Sequence, residues 1–414
     1  MQLQIFLLIF LTIAMITSAS AVEWPEIRGG KQQGLIKAEN VPVKIDFEKD
    51  VVWKSEIPGK GWSSPVSSGG LIVMTSAVGE EKAVLRVIAV DEKTGKIIWN
   101  VKAFEPSEEE ASIRHRKNSL ASPSPLISDG MVYVHFGHMG TAALALKDGA
   151  VKWRFHETYD AVHGNGGSLV LADGVLIFTA DGKEHALTRG IDAKTGAKIW
   201  EKDRGVDTSR KFSFATPLVV EMEGEKQVIS QGADHIASYR PKTGELVWSV
   251  SPPSGWSVVP TPILDQGHVY LATGFARPNL IAINLKGAKG DVTKSHIKWT
   301  YKKDIPATPS FVIQGDVIYL IQDSGKLSAI NKKNGERFWV EPLKRNFSAS
   351  PVLVGDHFYS YTEEGVGYVH KVTREGAEKI AENDFGEPIF ATPIVYDGGM
   401  VVRSETTLWK LEGH

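Results

Sequence analysis

Short apolar stretches alternate with polar turns along most of the chain, and this pattern predicts β-strands. Residues 125–127 and 131–136 lie on either side of the turn Ser128-Asp129-Gly130, and the second stretch alternates between apolar and polar side chains. Residues 142–146 and 151–155 follow as two further strands. The predicted unit is therefore a group of four short strands, and no helical periodicity competes with it after residue 22.

A Ser/Thr-Pro-apolar step marks where each group of strands begins. It recurs at Ser64-Pro65, Ser124-Pro125, Thr216-Pro217, Thr261-Pro262, Thr308-Pro309, Ser350-Pro351 and Thr392-Pro393. The long gap between the second and third steps is filled when Ser168-Leu169 is aligned with them. The sequence thus contains eight copies of one repeat.

A second marker, a turn glycine followed four residues later by tryptophan, keeps the same count. Trp53 has no turn before it, Trp299 follows a longer loop, and the seventh copy has Ile380 in place of tryptophan. Because these side chains recur at one position of the repeat, we interpret them as packing residues of the fourth strands rather than as groups that stack on a ligand. The set is Trp53, Trp99, Trp153, Trp200, Trp248, Trp299 and Trp339.

Four strands in each of eight repeats predict an all-β fold, an eight-bladed β-propeller, rather than a sandwich. A propeller must close its ring, since its first and last blades would otherwise expose sheet edges. Residues 390–411 offer only three strands, and residues 51–54 offer an orphan fourth. We therefore predict that residues 50–414 form one propeller whose last blade is completed by the N-terminal strand, after a lead-in at residues 22–49.

The N-terminus and the composition restrict where the protein works. Residues 1–21 carry no charged side chain, include an apolar run at 5–16 and end in Ala19-x-Ala21, as a signal peptide cleaved after Ala21 would. We expect a periplasmic or extracellular protein with no transmembrane segment after cleavage. The 47 Lys and Arg against 49 Asp and Glu argue against nucleic acid as a partner. The absence of cysteine excludes disulfides, thiolate metal sites and a lipid-anchored lipoprotein.

The segment Ala89 to Trp99, Ala-x-Asp-x-x-Thr-Gly-x-x-x-Trp, resembles the repeat of the pyrroloquinoline-quinone-like (PQQ-like) propellers, and residues 190–200 carry a variant. The opening Trp24-Pro25-x-x-Arg28-Gly29 is similar to the lead-in of secreted bacterial propellers of this kind, which are often grouped with BamB. The resemblance implies the fold. For activity it implies two classes, quinone-dependent dehydrogenases and non-catalytic scaffolds.

The loops that enter the first strand of each blade, together with those between second and third strands, should converge on a central funnel. We expect the binding residues there, and we expect Trp256 and Arg277 to lie nearest each other. The aromatic side chains either recognise a ligand or plug the ring, and both alternatives stay open. The candidate residues are Trp62, Asn118, His163, Asn165, Arg210, Phe212, Trp256, Arg277 and Phe347.

The favoured function is a non-catalytic scaffold that binds a protein, peptide or glycan of the cell envelope. The alternative is a PQQ-dependent oxidoreductase acting on a sugar or an alcohol, with PQQ and calcium as cofactors. No Asp/Asn/Glu constellation for calcium stands out in the sequence. His115, Asn118 and His163 could meet at the funnel, but we expect neither a metal nor a cofactor there.

Overall fold

The computed structural model describes residues 21–79 and 82–413. The predicted signal peptide therefore lies outside the described residues, apart from Ala21. Eight antiparallel four-stranded sheets are arranged as the blades of a propeller, and the predicted fold is confirmed. In the described part of the chain, no helix is long and apolar enough to cross a membrane.

Each blade runs from an inner to an outer strand. Blades 1 to 4 consist of Val66–Ser68, Leu71–Val78, Val84–Asp91 and Ile97–Phe104; Leu126–Ser128, Met131–His135, Thr141–Ala145 and Val151–Phe155; Val170–Ala172, Val175–Asp181, Ala186–Asp192 and Lys198–Asp203; Leu218–Met222, Glu225–Gly232, His235–Tyr239 and Leu246–Val250. Blades 5 to 8 consist of Ile263–Asp265, His268–Ala272, Leu280–Asn284 and Ile297–Tyr301; Val312–Gln314, Val317–Ile321, Lys326–Asn331 and Arg337–Pro342; Val352–Val354, His357–Tyr361, Val366–Val372 and Ala377–Asp384; Ile394–Tyr396, Gly399–Arg403, Thr407–Glu412 and Val51–Glu56.

The ring closes in blade 8 as predicted. The outer strand Val51–Glu56 pairs antiparallel with Thr407–Glu412, in a register that places Trp53 opposite Lys410 and Glu56 opposite Thr407. The two ends of the propeller are thus joined by backbone hydrogen bonds, and no blade is left with an incomplete sheet.

Several short elements lie outside the four-stranded pattern. Leu35–Ile36 adds a parallel strand inside blade 7, and Gly290–Asp291 adds one outside blade 4. The sequence shows no helical periodicity after residue 22, yet two short α-helices occupy Glu108–Ser112 and Thr293–His296. Both lie in loops and are too short to show helical periodicity. Two 3₁₀ turns, Gly30–Gln32 and Gly137–Met139, complete the described helices.

The repeated glycine and tryptophan belong to neighbouring blades. Trp153 lies on the outer strand of blade 2, and its Nε1 donates to the Ala193 carbonyl, in a turn of blade 3, at 3.0 Å. A Cβ on Gly196 of that turn would lie 2.6 Å from the same ring. The same contact joins Trp53 to Gly95, Trp99 to Gly149, Trp200 to Gly244 and Trp299 to Gly335. These five tryptophans therefore hold their blades against the following ones, whereas Trp248 donates to Gln227 within its own blade.

The Ser/Thr-Pro steps form a belt around the ring. In six places the amide of one step donates to the hydroxyl of a neighbouring step at 2.8–3.0 Å. These pairs run from Ser64 to Ser124, Ser124 to Ser168, Ser168 to Thr216, Thr261 to Ser310, Ser310 to Ser350 and Thr392 to Ser64. The hydroxyl is thus needed to satisfy a buried amide of the adjacent blade.

The belt corrects the alignment of the sixth copy. The sequence suggested Thr308-Pro309 as its step, but the inner strand begins at Val312 and the belt uses Ser310. Phe311, which is fully buried, takes the place that proline holds in most copies. The predicted step was two residues too early, because Thr308-Pro309 in the preceding loop matches the motif by chance.

Candidate functional site

A cavity of about 910 Å³ opens on the face where the chain enters the inner strands; we call it the funnel. Its wall comes from the entering loops of all eight blades, and the belt hydroxyls face it, including Ser64, Ser124 and Thr216. The convergence of these loops follows from the topology, because every blade-to-blade connection crosses on the same face. The funnel is the place that the sequence predicted for the binding residues.

The lead-in closes the far end of the funnel. Trp24 pairs with Ser67 of blade 1, and the Pro25 carbonyl accepts from the Ile127 amide of blade 2 at 2.8 Å. Arg28 donates to the Phe311 carbonyl beside blade 6. Blades 2 and 6 are opposite each other in an eight-membered ring, so this segment crosses the axis. Ile27, between these anchors, lines the cavity as its floor.

Arg28 fastens this floor. Its side chain is 1% exposed, and its guanidinium donates to the carbonyls of Gln32 at 3.1 Å, Gln33 at 3.2 Å and Phe311 at 2.5 Å. Burial lowers the pKa of Arg28 to about 9. No described carboxylate forms an ion pair with it, so backbone carbonyls alone stabilise the charge. The lead-in is therefore part of the site and not a loose extension.

Polar groups of the funnel wall are mostly bonded within the protein. The belt hydroxyls accept backbone amides, and the carboxylate of Asp323 accepts the Ala307 amide at 2.7 Å. Asp323 is the only Asp or Glu among the described residues that line the funnel. Apart from the imidazoles of His115 and His163, little is left in the wall to act as a general base.

The predicted meeting of His115, Asn118 and His163 does occur at the funnel. The two imidazole rings lie 5.1 Å apart, and the Asn118 side chain donates to the His163 carbonyl at 2.8 Å. Burial, and to a lesser extent the neighbouring His115, lower the pKa of His163. Among the described residues, no group of three His, Cys, Asp or Glu could hold a metal ion.

The rim of the funnel combines cations with aromatic rings. The Arg210 guanidinium lies 4.6 Å from the centre of the Trp256 ring, and Phe275 packs edge-on against the same ring. Phe275 is 57% exposed, which is unusual for a side chain of its size. On another side, Trp62 and Phe390 stack with centroids 3.9 Å apart. The rim thus offers flat apolar surfaces beside a planar cation.

The structure brings most of the nine predicted residues together. Those lining the funnel are Trp62, Asn118, His163, Arg210, Phe212 and Trp256. Arg277 is exposed at the rim, between the lining residues Ala276 and Pro278, but the cation over Trp256 is Arg210 instead. Asn165 is buried and bonds the backbone of Gly167.

Phe347 does not belong to the site either. It is fully buried in the apolar core between blades 6 and 7. Sequence reasoning also missed Ile27 and Phe275. A signal existed for Phe275, which is two residues from the candidate Arg277, whereas nothing in the repeat pattern pointed to Ile27 in the lead-in.

A long connection partly covers the mouth. Residues 105–118, between blades 1 and 2, contain the helix Glu108–Ser112, which starts with a capping box formed by Ser107 and Glu110. Beyond the helix, the Lys117 ammonium lies 2.8 Å from the Glu363 carboxylate of blade 7. The connection therefore reaches across blades 1 and 8, which accounts for the longer first repeat.

Comparisons with known proteins agree on one family. The family described as outer membrane protein assembly factor BamB matches residues 43–221 and 184–356. BamB of Yersinia pestis is 24% identical over 399 residues, covering 87% of this chain and 92% of the relative. BamB of Moranella endobia is 23% identical over 344 residues, covering 82% of this chain and 70% of the relative.

Solved structures share the fold. BamB from Moraxella catarrhalis superposes with a TM-score of 0.60 at 15% identity, covering 87% of this chain and 98% of that chain. A europium-containing methanol dehydrogenase superposes with a TM-score of 0.73 at 11% identity, covering 94% and 90%. At such low identities these superpositions show a common fold and carry no statement about activity.

Proposed function

This chain belongs to the family of the outer membrane protein assembly factor BamB, and we propose that it is a non-catalytic scaffold of the cell envelope that binds a protein partner during outer-membrane protein assembly. We place the binding surface at the funnel mouth, and we place the protein in the periplasm. The relatives carry the assembly role in their name. The geometry of the funnel is better suited to binding a partner than to catalysing a reaction.

One observation carries this proposal. The belt hydroxyls and the carboxylate of the funnel wall are occupied by the protein's own backbone, whereas aromatic rings and guanidinium groups remain free at the rim. Catalysis needs a positioned acid or base within reach of a substrate. A binding surface needs aromatic and arginine anchors that can be covered by a partner, which is what Trp256, Phe275 and Arg210 provide.

The quinone alternative lacks a matching donor set. Calcium prefers six to eight oxygen ligands, several of them carboxylates. The described funnel wall offers one carboxylate, Asp323, which already accepts an amide. The residues present therefore do not fit a calcium-bound quinone, and we derive no reaction step through one. Dye reduction by protein incubated with PQQ and calcium, over a panel of sugars and alcohols, tests this alternative directly.

The proposed function is tested by deleting the gene in a bacterium that carries it and measuring the folded outer-membrane proteins in its envelope. We expect their amount to fall and to be restored by the wild-type gene. A matched strain expressing the Trp256→Ala, Phe275→Ala double variant should not be restored, provided that the variant accumulates to the wild-type level.

Two results would contradict the proposal. One is an unchanged set of outer-membrane proteins in the deletion strain. The other is substrate-dependent dye reduction by the PQQ-loaded protein that is lost in the funnel variant, since that would make the funnel an enzyme site.

A further inference from the structure

We propose that the funnel mouth recognises an acidic segment of its protein partner, whose carboxylates pair with a set of unpaired arginines and whose apolar side chains cover the rim aromatics. This inference rests on the proposed function in one respect, that the ligand is a protein. It adds the chemistry by which that protein is selected.

The first observation is the distribution of arginines that lack a partner. We call Arg114, Arg116, Arg210 and Arg277 the cationic rim. In the described chain, no ion pair or hydrogen bond engages their guanidinium groups, and all four are exposed on loops at the funnel mouth. Outside the cationic rim, Arg374 also lacks such a partner and lies in a turn on the opposite face, and Arg345 contacts the Tyr368 hydroxyl.

Other arginines of the described chain are engaged. Arg189 pairs with Glu157 and Glu201, Arg240 with Glu225, and Arg337 with Asp304. Arg28 and Arg403 are buried and donate to backbone carbonyls. Guanidinium groups left free are therefore concentrated at one place, and a planar fork of donors is the group best suited to pair with a carboxylate.

The second observation is the lack of negative charge inside the funnel. Arg116, Lys117 and Arg210 line it, against the single described carboxylate of Asp323. The acidic helix Glu108–Ser112 packs on Gly137–Met139 of blade 2, and none of its residues lines the cavity. The funnel therefore attracts anions although the whole chain has a net charge of −2.

The third observation concerns the shape of the occupant. The floor formed by Ile27 closes the far end, so a chain can enter but cannot thread through the ring. Arg210 already stacks on Trp256, with Phe275 beside it, so a carboxylate that meets Arg210 brings its neighbouring side chains onto an aromatic surface. A loop or a chain end that mixes acidic and apolar residues fits these constraints.

One ion pair within the protein, between Lys117 and Glu363, already joins a cation of the funnel wall to a carboxylate. The two side chains are 34% and 19% exposed, so a partner's carboxylate can compete with Glu363 for the ammonium. Exchange of one ion pair for another costs less than burying an unpaired charge. The connection formed by residues 105–118 can thus exchange its ion pair with Glu363 for one with the acidic segment, and Lys117 keeps a carboxylate partner.

The test uses the mature protein and a fluorescent peptide of about ten residues that mixes Glu and Phe and has both ends blocked. A matched peptide carries Gln for every Glu. We expect the Glu peptide to bind about tenfold more tightly than the Gln peptide, by anisotropy at low ionic strength, and the difference to shrink as salt rises.

Protein variants locate the site. Arg116→Gln with Arg210→Gln should weaken binding of the Glu peptide about tenfold, and Arg210→Lys should retain part of it. Arg374→Gln is the matched control, because Arg374 also lies over an aromatic ring, that of Phe338 at 4.5 Å, but in a turn on the opposite face. It should leave the affinity unchanged.

Equal affinity for the two peptides, or a loss with Arg374→Gln as large as with the double variant, overturns the inference. So does binding of an uncharged oligosaccharide at the same site with higher affinity. If the double variant loses the Glu peptide yet fully restores outer-membrane proteins in the deletion strain, the acidic-segment inference falls while the assembly role stands. If the peptide result holds and the deletion strain is unaffected, the assembly role falls instead.

Discussion

Replacing a turn glycine that touches a tryptophan of the preceding blade should cost much more stability than replacing one that does not. Gly196 and Gly174 are both turn glycines of blade 3, with φ of 75° and 80°. A Cβ at Gly196 would lie 2.6 Å from the Trp153 ring, whereas a Cβ at Gly174 would meet nothing within 4 Å. The pair therefore separates backbone strain from the contact between blades.

The magnitudes follow from these two terms. An alanine at either position must hold a left-handed backbone, which costs about 1 kcal/mol. At Gly196, the added methyl also displaces a ring that is hydrogen-bonded to the Ala193 carbonyl, and overpacking of this kind costs about 2 kcal/mol more. We expect Gly196→Ala to lower the free energy of unfolding by about 3 kcal/mol and Gly174→Ala by about 1 kcal/mol.

Urea unfolding monitored by circular dichroism measures both variants. A third arm repeats Gly196→Ala in a Trp153→Ala background, where the excess cost should largely disappear because the ring is gone. Equal losses for the two glycine variants, or an excess that persists without Trp153, would refute the account of how the blades are locked together.

Three further predictions concern closure, pH and the floor. Deleting residues 51–56 should expose the edge of Thr407–Glu412 and abolish cooperative thermal unfolding; a soluble deletion variant that melts like the wild type would contradict ring closure. Burial lowers the pKa of His135 from 6.5 to about 3. Between these two pH values the unfolded chain binds a proton at this side chain and the folded protein does not, so the free energy of unfolding falls as the pH drops, by about 2 kcal/mol at about pH 5. His135→Gln should reduce this pH dependence in urea titrations. Arg28→Met leaves three backbone carbonyls, two of them buried, without their donor and should cost about 3 kcal/mol, measured by the same unfolding assay. An unchanged midpoint would show that the floor is not held by this side chain.

The repeat pattern was sufficient to predict the number of blades and their closure. Both markers, the Ser/Thr-Pro step and the turn glycine with its tryptophan, make a contact between neighbouring blades in most copies, so their count reports the number of units. The sixth copy shows where this reasoning fails. Thr308-Pro309 resembles the step, but the hydroxyl that accepts the Thr261 amide belongs to Ser310. The proline itself takes no part in this hydrogen bond, so its position does not identify the step.

The floor of the funnel could not be predicted in the same way. Ile27 and Arg28 lie in a segment that occurs once, and their positions depend on contacts with blades far apart in the sequence. The rim was easier, because the topology alone places the entering loops on one face. Which side chains there turn inward was not predictable, since Phe347 packs into the core while Phe212 faces the cavity.

Site-specific photo-crosslinking in cells tests most directly whether the funnel mouth binds an assembly partner. A photoreactive residue at Phe275, 57% exposed at the rim, is compared with one at Leu246, 50% exposed on the outer strand of blade 4. The account predicts that only the Phe275 position yields a crosslinked product containing a component of the outer-membrane protein assembly machinery, identified by mass spectrometry. A product with that machinery from Leu246 and none from Phe275 would contradict it.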